Sequence, residues 1–122
     1  MPTVLLVDDS PAARHAIAKR LKAAGFDVHE VGSAADARTV DLGPFACAVV
    51  DVELGDGDGP SLAVELHAKR ADLPIAFFTA TSSPDVHERA KGQGPVFTKP
   101  NLDPLLAWAT HESRSTQPPP TK

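Results

Sequence analysis

Cys47-Ala48-Val49-Val50 is an unbroken apolar run that ends in one carboxylate, Asp51. It passes at once into a loop where glycine and acid alternate, through Glu53, Gly55, Asp56, Gly57, Asp58 and Gly59. The run is too short for a helix, and with no polar alternation it reads as a strand buried on both faces. Such strands belong to parallel sheets covered by helices on each side. Asp51 then lies at the carboxyl end of its strand, where open α/β sheets place their ligand sites.

The rest of the chain fits that frame. Thr3–Val7 reads as a first strand ending in Asp8-Asp9, and Ser10-Pro11 as the cap and first position of a helix with a stripe of Ala13, Ile17, Leu21 and Ala24, stopped by Gly25. Phe26–Val31, mixed in polarity, predicts a second strand nearer an edge. Ser33 to Asp36 predicts a capped second helix that runs to Gly43-Pro44. The third strand is Phe45–Asp51, and Pro60 opens a third helix carrying Leu62, Ala63 and Leu66. Leu73–Thr79 predicts a fourth strand. Ser83-Pro84 starts a fourth helix with only Val86 and Ala90 on its apolar face, the least firmly packed element. Pro95–Thr98 is a fifth strand, and Asp103-Pro104 opens a last helix with Leu105, Leu106 and Ala109 facing inward.

Five strands alternating with five helices predict an α/β fold: a five-stranded parallel sheet, doubly wound in the flavodoxin-like manner, with right-handed crossovers. With 122 residues, 42% of them hydrophobic, there is material for one core. The expected division is a domain over residues 1–112 and a Pro-rich disordered tail over 113–122, which contains Pro118-Pro119-Pro120.

Several functions are disfavoured. A formal net charge of −4 without a Lys/Arg cluster gives no electrostatic reason to expect nucleic acid. No apolar stretch approaches the roughly 20 residues of a membrane span, and the start has no signal-peptide pattern. One cysteine, Cys47, excludes an internal disulfide and suits a reducing cytoplasm; it reads as a small core hydrophobe. Gly55, Gly57 and Gly59 do not fit G-x-G-x-x-G, and the interleaved acids would repel a pyrophosphate. Asp56, Asp58, Gly59 and Glu65 echo a calcium loop, yet its first ligand position would be Leu54. His15, His29, His67, His87 and His111 lack metal-ligand spacing and read as surface residues. Trp108 reads equally as core or as an exposed anchor for a partner.

The carboxyl ends of the first, third, fourth and fifth strands carry Asp8-Asp9, Asp51, Thr79 and Lys99. In a parallel sheet these ends share one rim. Asp8-Asp9 alone would read as a helix cap and Lys99 alone as a solvated charge. Together, three crowded carboxylates call for a cation between them, and hard oxygen donors suit Mg²⁺. A lysine opposite balances charge, and a threonine hydroxyl can donate to a phosphoryl oxygen. The set suits placing phosphate on a carboxylate, with Asp51 as nucleophile.

On Asp8-Asp9, Asp51 with Leu54 and Asp58-Gly59 behind it, Thr79 before a small residue, and Lys99-Pro100, residues 3–112 resemble the receiver domain of two-component response regulators. The resemblance implies a phosphoacceptor signalling protein that catalyses only its own aspartyl phosphorylation and dephosphorylation. Asp51 would take a phosphoryl group from a sensor histidine kinase or a histidine phosphotransfer protein. Asp9 would bind Mg²⁺ directly, Asp8 through water, and the Glu53 backbone carbonyl would add the remaining protein ligand. Lys99 would contact the phosphoryl group, Thr79 would move toward it, Ala80 would supply the small neighbour, and Lys99–Pro100 would be cis. The fourth helix and fifth strand would be the element biased, and a downstream partner would bind the face formed by the fourth helix, fifth strand and last helix. The chain would act alone, without an output domain.

Three positions depart from the family's pattern. Val96 stands where an aromatic switch residue is usual, and Phe97 alternates to the other face. Glu53 adds an acid beside the phosphoacceptor, with an effect on phosphate lifetime of either sign. Gly55 replaces a common proline. These departures motivate an alternative, a phosphorylation-independent interaction module. A small Mg²⁺-dependent phosphohydrolase is a third reading, disfavoured because the short loops form no substrate pocket.

Overall fold

The computed structural model describes residues 1–80 and 83–116. In chain order the elements are β1 (Thr3–Val7), α1 (Pro11–Ala23), β2 (Asp27–Val31), α2 (Ala34–Arg38), β3 (Phe45–Val50), β4 (Glu53–Leu54), β5 (Gly57–Asp58), α3 (Gly59–Lys69), β6 (Ile75–Thr79), α4 (Pro84–Lys91), β7 (Val96–Thr98) and α5 (Asp103–Thr116). Five strands form one parallel sheet in the order β2-β1-β3-β6-β7, and β4 and β5 form a small antiparallel hairpin.

Side-chain alternation along the central strands divides the core in two. Leu5, Val7, Ala48, Val50, Ile75 and Phe77 face Leu62, Ala63 and Leu66 of α3, with Ala90 of α4. Val4, Leu6, Cys47, Val49, Ala76 and Phe78 face Ile17, Ala18 and Leu21 of α1, with Leu105 and Ala109 of α5. The doubly wound fold follows, since each face of the apolar strands needs its own cover. Val96 packs on the first side and Phe97 on the second, as their alternation requires. Trp108 is half-buried on the second side, its ring centroid 6.4 Å from that of Phe97, so it contributes to the core's edge.

Local signals set the helix starts. Ser10 accepts from Ala13 N–H at 3.4 Å, and Ser33 accepts from Asp36 N–H at 3.0 Å. Gly25 follows α1 at φ +99°, a backbone state that glycine adopts without a Cβ penalty. At α4, Ser83 makes no side-chain cap hydrogen bond.

Some boundaries differ from the expectation. α2 stops at Arg38 rather than near Gly43-Pro44: Thr39 is its C-cap and its hydroxyl bonds the Asp36 carbonyl at 2.8 Å. Ala24 is exposed and leaves the α1 stripe one turn early. α5 continues through Thr116 with Ser113 buried, so residues 113–116 are helix rather than tail; 117–122 lie outside the described residues, as does the Val86 side chain. His67 is half-buried, with Nδ1 3.0 Å from Gln93 Oε1 and Nε2 2.9 Å from the Leu73 carbonyl, tying α3 to the segment before β7.

Candidate phosphoacceptor and metal site

Register places the site. Val7 pairs with Val50 and Thr79 with Thr98, so Asp8, Asp51 and Lys99 are the next residues beyond aligned strand ends. The Asp51 N–H bonds the Val7 carbonyl at 2.9 Å, and the Lys99 N–H bonds that of Thr79 at 2.9 Å, fixing the rim as an extension of the sheet. Lys99–Pro100 is cis.

One carboxylate oxygen each from Asp8, Asp9 and Asp51 lies within 4.8 Å of the others. Asp8 is buried, Asp51 half-buried and Asp9 exposed, giving a group open on one side. Lys99 Nζ bridges two of them, 2.9 Å from Asp8 Oδ2 and 2.9 Å from Asp51 Oδ2. Burial pulls the Lys99 ammonium down, but its hydrogen bonds to Asp51 and Asp8 and their charges outweigh this and hold its pKa above the ordinary lysine value. Lys99 is therefore a fixed cation. Asp51 Oδ1 also accepts from Glu53 N–H at 3.1 Å, which orients the carboxylate.

Asp9, Asp51, Glu53, Leu54, Gly55, Thr79 and Ala80 line an open depression of about 370 Å³ above the carboxylates. Thr79 is 1% exposed and Glu53 exposed. The structure thus brings together every residue singled out for this chemistry. Three oxygen-donor carboxylates converging at an open rim are the donor set a hard divalent cation such as Mg²⁺ takes, with room for water or phosphate oxygens.

The loop after Asp51 does more than its sequence announced. Asp56 accepts from Ala34 N–H at 2.9 Å and Ala35 N–H at 3.0 Å, capping α2 across the fold. These two amides, with lesser help from Arg38, hold its carboxyl below the ordinary aspartate value despite some desolvation. Asp58 caps α3, accepting from Ser61 N–H at 2.8 Å and Ser61 Oγ at 3.0 Å. Gly59 follows because a Cβ there would stand 2.3 Å from the Asp51 carbonyl oxygen. An aspartate just ahead of Gly59-Pro60, where the helix opens, is the available signal for Asp58. Nothing local marks Asp56, whose partners are 21 and 22 residues away.

Comparison with known proteins places this geometry. The family model described as the response regulator receiver domain matches residues 4–106. The chain is 39% identical over 83 residues to the transcriptional regulatory protein GltR of Pseudomonas aeruginosa, covering 66% of this chain and 34% of that protein. It is 35% identical over 79 residues to the sensor protein TorS of Escherichia coli, covering 63% of this chain and 9% of that one. The match therefore spans a minor part of each of these relatives. Among solved structures, the non-phosphorylated HemR receiver domain from Leptospira biflexa superimposes with a TM-score of 0.80 at 25% identity, covering 99% of this chain and 100% of that one. The response regulator TrrA from Thermotoga maritima, in complex with Mg²⁺-BeF, does so at 0.84 and 23% identity, covering 92% and 99%, a likeness of fold.

Proposed function

As this chain belongs to the response regulator receiver domain family, we propose that it accepts a phosphoryl group on Asp51 and that the modified state changes its affinity for a protein partner. Its donor is a sensor histidine kinase or a histidine phosphotransfer protein; the sensor kinase CckA of Brucella abortus is among its relatives. The observation that carries the reading is Lys99, whose ammonium reaches Asp8 and Asp51 together from 91 and 48 residues away.

An oxygen of Asp51 forms the new bond to phosphorus as the donor's P–N bond breaks, and the electron pair leaves with the imidazole. Asp8, Asp9, Asp51 and the Glu53 backbone carbonyl would hold Mg²⁺. Bound there, the ion offsets the negative charge that carboxylate and phosphoryl group bring together. The Glu53 N–H keeps the Asp51 carboxylate aimed into the depression. Lys99 gives up part of its bond to Asp51 and takes a phosphoryl oxygen. Thr79, closing β6 at the same rim, donates its hydroxyl to the new group, and α4 with β7 beside it is the element biased. The face of α4, β7 and α5 is then the place where a downstream partner reads the change.

The test is intact-mass measurement after incubation with Mg²⁺ and a small acyl phosphate, with Asp51→Asn in parallel. One phosphoryl group on the wild type and none on the variant is expected. No adduct, where an established receiver is labelled, overturns the reading. It would favour the phosphorylation-independent module instead, for which the exposed carboxylate of Glu53 over the same depression is the supporting feature.

A further inference from the structure

Arg14 reaches the acidic rim from behind. Its Nη1 donates to the Asp8 backbone carbonyl at 2.9 Å, and its Nε donates to Glu30 Oε1 at 3.2 Å. Glu30 lies on edge strand β2, opposite Leu6 of β1, so one planar guanidinium ties the edge of the sheet to the residue that opens the acidic pair. Both side chains are largely enclosed, at 16% and 24% exposure. A Cβ at Gly32 would stand 3.1 Å from Arg14 Nη1, so a glycine keeps this corner open for the guanidinium.

With this contact Asp8 is held at every polar atom. Its N–H bonds the Val31 carbonyl at 3.2 Å, its Oδ1 accepts from Ser10 N–H at 2.9 Å, and its Oδ2 accepts from Lys99. The Arg14 bond falls on the peptide unit joining Asp8 to Asp9. That unit sets where the exposed Asp9 carboxylate projects.

We propose that Arg14, braced by Glu30, is a positioning residue for the divalent cation: it fixes the Asp8–Asp9 peptide and so keeps the Asp9 carboxylate in reach of Asp51. This rests on reading Asp8, Asp9 and Asp51 as the Mg²⁺ site. A positive charge behind the acidic rim has a competing role, to offset the charge of the carboxylates, and the two roles differ in sign. Charge offset alone makes Arg14→Gln bind Mg²⁺ more tightly. Positioning makes it bind more weakly, because the peptide is released.

The experiment is calorimetric titration of the apo protein with Mg²⁺ alone. His15 Nε2 also lies 3.5 Å from Glu30 Oε1, so every variant is titrated at one fixed pH. Arg14→Gln is expected to bind about tenfold more weakly, the lower end of what loss of a supporting contact to a metal site costs. Arg14→Lys keeps the charge but loses the fork, and should also bind several-fold more weakly; it carries the test should Arg14→Gln unfold. Arg14→Gln binding as tightly as wild type or tighter, or Arg14→Lys matching wild type, overturns the proposal. Wild type that binds no Mg²⁺ overturns the cation site itself, a separate failure.

Discussion

Arg89 of α4 stands 3.1 Å from the carboxylate of Asp58, the residue that caps α3. The loop that leaves Asp51 is thereby tied to a helix whose N-cap side chain makes no capping hydrogen bond. Both groups are well exposed, so the pair is worth no more than about 1 kcal/mol. Arg89→Ala should leave global stability nearly unchanged while raising hydrogen exchange in α4. Asp58→Ala should cost more, about 1 kcal/mol, since it also removes the cap on α3. Denaturant melts of the two variants decide this, and equal losses would count against it.

Asp56 gives an acid-side prediction. Its folded pKa lies below the ordinary value, so the unfolded chain takes up the proton first as pH falls. The stability it contributes is complete above the unfolded pKa, near pH 4, and is lost as pH drops through the lower folded value. Asp58 acts in the same sense: desolvation opposes, but the bonds from Ser61 and Arg89 win. Asp56→Asn should flatten the acid limb of a stability-against-pH curve measured between about pH 5 and pH 2.5, with little change at pH 7 in the slope of that curve.

Lys99 bonds two of the three carboxylates that would hold a divalent cation. Lys99→Met leaves Asp8, 1% exposed, facing Asp51 without the ammonium that bridges them, and should cost about 3 kcal/mol in metal-free buffer. Added Mg²⁺ should raise the melting temperature of this variant by more than that of wild type. Equal gains would mean that lysine and metal do not compensate the same charges.

Gly59 admits no side chain without a shift against the Asp51 backbone. Gly59→Ala should destabilise by about 1–3 kcal/mol, the usual range for forcing atoms into a packed site. It should also slow acyl-phosphate labelling of Asp51, since the atom displaced is that residue's own carbonyl oxygen. Normal labelling in a destabilised variant would confine the effect to packing.

Much of this architecture is legible in the sequence because burial on both faces forces the strands to be uniformly apolar. Val4–Val7, Cys47–Val50 and Ile75–Phe78 announce themselves, and the residue following each is then a candidate for the rim. Serines before Pro11 and Ala34 mark helix starts for the same local reason, an oxygen placed to accept from the first turn. Contacts that depend on chain reversal were not legible. Asp56 caps a helix 22 residues upstream, and Arg14 finds Glu30 across 16 residues. His67 looks like a surface residue until β7 brings Gln93 beside it. The end of α2 differs from the expectation because Gly43-Pro44 is a strong stop, while Thr39 ends the helix sooner through its own hydroxyl.

Cys47 is the chain's one thiol, fully enclosed on β3, with β1 on one side of that strand and β6 on the other. Burial, with a smaller push from Glu112, raises its pKa to about 12, so in place it is neither reachable nor ionised at neutral pH. Any reaction with a thiol reagent must wait for the middle of the sheet to open. The molecule therefore carries its own clock, one that counts openings of β3 and ignores motion confined to α4 or the rim. A labelling rate that stays constant when Asp51 is modified would locate the whole response in the outer elements, with the sheet as its unmoving base.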